Sequence, residues 1–123
     1  MKTRMKNDTA ILTVKTGVFF SNADGNYDKR EREFISRFIN SLKSEDESIT
    51  EDTIKVLEKS IDEKYSIQYI VTETRKLLDH FNAAEQKLLI DKLLEFIKGV
   101  IMADGIEREE EKKFLDEWMS AFC

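Results

Sequence analysis

The chain writes one short phrase twice, and that repetition limits what it can fold into. Ala23-Asp24-Gly25 and Ala103-Asp104-Gly105 each end an apolar run, and each is followed, six residues after its glycine, by a glutamate, Glu31 and Glu111. The copies lie 80 positions apart. The register continues beyond them: Phe34 matches Phe114, Ile35 matches Leu115, Phe38 matches Trp118, Ile39 matches Met119 and Leu42 matches Phe122, apolar against apolar in every pair. These positions recur at three- and four-residue steps, which places them on one stripe of an α-helix. Each phrase therefore predicts a helix-turn-helix hairpin with a buried second arm, and Phe34, Phe38, Phe114 and Trp118 are expected in one core.

The remaining sequence reads as helix throughout. There is no proline to break an element and no strand-like alternation longer than a few residues, so the fold class is all-α. Residues 1–7 are polar and expected to be disordered, with a single domain over residues 8–123. Asp8 or Thr9 can cap a first helix reaching about residue 22, with Ile11, Leu12, Val18 and Phe19 as its buried face. Gly25 and Gly105 are placed to end the first arm of each hairpin in a left-handed conformation. Asp28, with Glu31 three residues on, forms a capping box for the second helix, which runs to about residue 43. An acidic linker follows, and Thr50 caps a short, peripheral third helix. Ser66 caps a fourth, with Ile67, Ile70, Val71, Leu77, Leu78 and Phe81 on one stripe. Asn82 and Glu85 make a second capping box, opening a fifth helix that is apolar on more than one side and is expected to run through the middle of the bundle. Gly99 inside that helix predicts a neighbour packed close against it. A last helix covers residues 108 to 122.

Composition excludes several functions. No apolar run approaches the roughly 20 residues that a membrane-spanning helix needs, and the basic start lacks a clear cleavage site, so the expected location is the cytoplasm. The formal net charge of -5 opposes broad nucleic-acid binding, which needs a basic face to release counterions. Cations or basic partners suit it better. One cysteine, Cys123, and one histidine, His80, provide no disulfide, no thiolate cluster and no catalytic triad. An enzyme would need an activated nucleophile or a phosphate-binding glycine loop, and neither is present.

The order of elements, helix, Ala-Asp-Gly, helix with Glu, middle helices, then the same hairpin again, resembles the TerB family of tellurite-resistance proteins and the related N-terminal domain of the DjlA co-chaperones. The resemblance covers residues 9 to 122. It implies a compact bundle of six or seven helices, its two hairpins facing each other about a pseudo-twofold axis. It also implies a bacterial, cytoplasmic protein associated with stress or metal-oxyanion resistance. The chain departs from the pattern at Arg108, where a capping Ser, Thr or Asp is usual. No J-domain signature or membrane anchor of the co-chaperones is found in it.

The chemistry to weigh is the acidic set Asp24, Asp28 and Glu31 with Asp104, Glu107 and Glu111. Clustered carboxylates bind hard divalent cations through oxygen, so Ca²⁺, Mg²⁺ or Mn²⁺ is the candidate cofactor. The turns are not EF-hands: counting from Asp24, Lys29 takes the glycine position and Ile35 that of the bidentate glutamate, while Ile106 and Arg108 take ligand positions in the second copy. The same carboxylates could instead cap helices. Tellurite itself would be repelled by them. Two functions stay open: an accessory protein binding a divalent cation or a basic partner through its acidic turns, and an interaction module whose grooves take an amphipathic partner helix, with a homodimer compatible with either.

Overall fold

Six helices follow from these caps and stripes in a computed structural model that describes residues 3–23, 29–45, 47–103, 105 and 108–123. They are α1 (Thr3–Ser21), α2 (Lys29–Glu45), α3 (Glu51–Ser60), α4 (Ile67–Leu78), α5 (Ala83–Ile101) and α6 (Glu109–Phe122). No strand occurs among the described residues. Three of the sequence-predicted caps are in place, at Thr50, Ser66 and Asn82, while Asp28 lies outside the described residues. The Thr50 hydroxyl accepts the Thr53 amide at 3.2 Å and the Ser66 hydroxyl the Tyr69 amide at 3.1 Å. Asn82 and Glu85 exchange both bonds of their box, at 2.9 and 3.1 Å. Each satisfies an amide that has no partner inside its own helix.

Two expectations about the helices need correction. The first helix starts at Thr3, ahead of the Asp8 or Thr9 cap, and Asn7, placed in an unstructured leader, is buried. Its amide donates to the Ser48 carbonyl and its carbonyl oxygen accepts the Thr50 amide, both at 3.0 Å, which fastens α1 to the start of α3. The second correction concerns the centre of the bundle. It is α1, not α5, that touches all five other helices. Val14, Thr16, Val18 and Phe20 are fully enclosed. Three of its polar residues are compatible with that position because their hydroxyls return to their own helix: Thr13 to Thr9, Thr16 to Leu12 and Ser21 to Gly17, at 2.7–2.9 Å.

The duplication is visible in how the hairpins pack. Gly17 of α1 faces Ile35 while Asn7 reaches Ser48, so α1 and α2 run antiparallel. Phe34 seats on Gly99 and Phe38 lies 4.7 Å from Phe96, so α2 is antiparallel to α5 as well. The first arms of the two hairpins, α1 and α5, thus lie side by side in one direction. The contact of α2 with α5 has its counterpart in that of α6 with α1. Phe34 meets Gly99; its equivalent Phe114 meets Phe19, which stands 80 positions before Gly99, edge-on at 5.1 Å. All four aromatics expected in one core do pack on one continuous apolar core. They form no single ring cluster: Trp118 is fully buried beside Phe122, while Phe34 and Phe38 are half-buried against Phe96.

Candidate functional site in the acidic turns

Both first arms end alike. The Ala23 amide donates to the Phe20 carbonyl and the Ala103 amide to the Val100 carbonyl, each at 3.2 Å, and these pairs are equivalent under the repeat. Past the second of them, Gly105 has φ +79°, and a Cβ built there would touch nothing within 4 Å. Glycine is needed at this point for its left-handed backbone and not for space. Asp24, Gly25, Asp28, Asp104 and Glu107 lie outside the described residues, and with them four of the six candidate ligands.

The other two, Glu31 and Glu111, occupy the third position of α2 and α6 and are 2% and 1% exposed. Ionised side chains are almost never buried to that extent unless opposite charge or hydrogen-bond donors hold them, because removing a carboxylate from water costs several kcal/mol. Finding it twice, at repeat-equivalent positions in the first turn of α2 and of α6, ties this burial to the duplicated hairpin. One partner of Glu111 is the Arg108 amide, which donates to Oε1 at 3.3 Å; the Arg108 Nε lies 3.9 Å from the same oxygen. Arginine has no acceptor with which to return the bond, so the box is kept on its glutamate side only. This is the consequence of the departure at Arg108.

The donor set is chemically suited to a hard divalent cation, since every member offers carboxylate oxygen. Among the described residues no three His, Cys, Asp or Glu side chains converge on a point. Away from the turns, Lys15 is a charged group that sequence reasoning passed over. Its ammonium donates to the Tyr69 hydroxyl at 2.9 Å and lies 5.4 and 5.6 Å from the stacked rings of Tyr69 and Tyr65. Burial alone would lower its pKa, but the Tyr69 hydrogen bond and the charges of Tyr69, Tyr65 and Glu63 outweigh it and push it up. Lys15 is therefore held protonated, the opposite of an activated amine nucleophile. Burial, with a smaller push from Glu63, raises the Tyr65 phenol as well. His80 and Cys123 are exposed.

No helix among the described residues is long and apolar enough to cross a membrane. No curated protein and no solved structure gives a significant match to the chain. The family model described as "Tellurite resistance protein TerB" matches residues 10–122, from the first turns of α1 to the end of α6 and across both hairpins. With nearly its whole length matched and the duplicated hairpins in place, the chain belongs to the TerB family.

Proposed function

We propose that this chain is a non-enzymatic accessory protein of the TerB type, serving tellurite or metal stress in the cytoplasm by binding and not by catalysis. Its ligand is a divalent cation, Ca²⁺, Mg²⁺ or Mn²⁺, or the basic group of a partner, taken at the two acidic turns. The observation that carries this reading is the matched burial of Glu31 and Glu111 at the same place in each hairpin. A buried carboxylate is electrostatically costly, and a cation bound at a turn would add to the partners that offset that cost. Asp24, Asp28, Asp104 and Glu107 would supply the remaining oxygen donors.

A cation that binds only the folded state raises stability by about 2.7 kcal/mol at a hundredfold excess over its dissociation constant. The test is the melting temperature with each of the three ions at matched ionic strength, in the wild type and in Asp24→Asn with Asp104→Asn. An ion-specific, saturable rise in the wild type that is lost in the double variant is the expected result. Asparagine still accepts amide hydrogen bonds, so turns that only cap their helices would keep their stability in the variant and respond to no ion.

A further inference from the structure

The pseudo-twofold arrangement gives neither α3 nor α4 a counterpart on the α5 side of the bundle, and the place opposite α4 is an open one. On one side of the bundle α4 lies over α1 and α6, running antiparallel to α1: Tyr69 meets Lys15, while Leu77 and His80 line a cleft with Ile11 and Asp8 at the other end. The 80-residue shift carries α1 and α6 onto α5 and α2. It carries Asp8, Leu12, Lys15 and Phe19, the α1 positions on that side, onto Leu88, Lys92, Glu95 and Gly99. These four line an open trough of about 930 Å³ with Phe34 and Phe38 of α2. The short helix α3 leans on α1 and α2 and does not fill it.

Equivalent side chains differ in exposure as this predicts. Trp118 is fully enclosed, whereas its equivalent Phe38 is half-open; Leu12 is buried, whereas its equivalent Lys92 is exposed, and Leu88, the equivalent of Asp8, is 55% exposed. We propose that the α2–α5 trough docks an amphipathic helix of a partner protein. That helix takes the place over α2 and α5 that α4 takes over α6 and α1, antiparallel to α5, with a basic residue toward Glu95. The charges follow from the same equivalence. Position 95 corresponds to Lys15, which α4 meets with Tyr69, and position 92 to Leu12, which shares its cleft with Glu73. A helix with the buried-face spacing of Ile67, Ile70, Thr74 and Leu77, a basic residue at the place of Tyr69 and an acidic one at that of Glu73 complements Glu95 and Lys92. This is independent of the cation reading, and its test is run in EDTA.

The probe is a fluorescent synthetic peptide of residues 66–80 carrying Tyr69→Lys, followed by anisotropy against the whole protein. Saturable binding is expected, weakened about tenfold or more by Leu88→Glu, a loss of about 1.4 kcal/mol. Because Leu88 is exposed, that variant should melt like the wild type. Glu95→Lys should weaken the lysine peptide and restore binding to a peptide with Tyr69→Glu. Absence of saturable binding, or binding indifferent to Leu88→Glu and Glu95→Lys, overturns the proposal. So does a concentration-dependent dimer in sedimentation that Leu88→Glu abolishes, since a second copy would then be the occupant.

Discussion

Replacing Gly99 with alanine sets two effects of similar size against each other, and the structure decides between them. Inside an exposed helix the change should stabilise by about 1 kcal/mol, because glycine loses more backbone freedom on folding. At this site the new Cβ would stand 2.6 Å from Phe34 Cζ and 3.2 and 3.3 Å from the two Cε atoms, meeting the tip of the ring head-on. Carbon atoms settle at about 3.5–4.0 Å, so the ring must retreat by about 1 Å. It also packs on Phe96, with centroids 5.6 Å apart, so it cannot withdraw without disturbing that contact. Forcing a methyl group into such a site costs about 1–3 kcal/mol. The net expectation is a loss of up to about 2 kcal/mol. In a Phe34→Leu background the ring tip is gone, and the same Gly99→Ala change should become stabilising by up to about 1 kcal/mol. A double-mutant cycle measured by urea unfolding reads the difference as a coupling of at least about 1 kcal/mol. Additivity within about 0.5 kcal/mol would mean that Phe34 is not seated on Gly99, and the antiparallel placement of α2 on α5 would lose its main support.

Trp118→Ala, at a fully enclosed side chain, should cost about 3–5 kcal/mol in the same assay, and a loss under 1 kcal/mol would place the indole outside the core. Lys15 and Tyr65 both have pKa values pushed above their ordinary 10.5 and 10.0. A raised folded-state pKa contributes stability that is full below the unfolded value and lost as pH rises through the folded one. The melting temperature should therefore fall above about pH 10, more steeply in the wild type than in Lys15→Met. Identical alkaline slopes in the two proteins would remove Lys15 from that effect.

What the chain disclosed of itself followed its strongest local signals. Caps at Thr50, Ser66 and Asn82 were legible because an acceptor side chain three residues before an amide, ahead of an apolar stripe, has few other uses. Gly99 predicted a close neighbour because its cost in a helix needs a compensating contact, and Phe34 is that contact. The central position of α1 was hidden by its own polar letters. Thr13, Thr16 and Ser21 look like a solvated face until their hydroxyls are seen to bond the preceding turn. Asn7 was hidden for a related reason: its two partners, Ser48 and Thr50, are more than forty residues away, beyond the reach of any local pattern. Glu31 and Glu111 were singled out by the repeat, but their near-complete burial was not, because charge in a sequence reads as surface. The open trough has no signature in the sequence, because it arises where α5 and α2 lack the helix that α1 and α6 hold as α4.

The most direct trial of the cation reading is to follow backbone amides and side-chain carboxyl carbons by NMR while Ca²⁺, Mg²⁺ or Mn²⁺ is added at constant ionic strength. Binding at the acidic turns predicts saturable changes, or paramagnetic broadening with Mn²⁺, confined to the segments around residues 24–31 and 104–111. Both turns should respond, with the carboxyl signals of Glu31 and Glu111 among those affected. Spectra unchanged at millimolar ion, or drifting without saturation across the whole acidic surface, would contradict it and leave the two buried glutamates as fixtures of the hairpins.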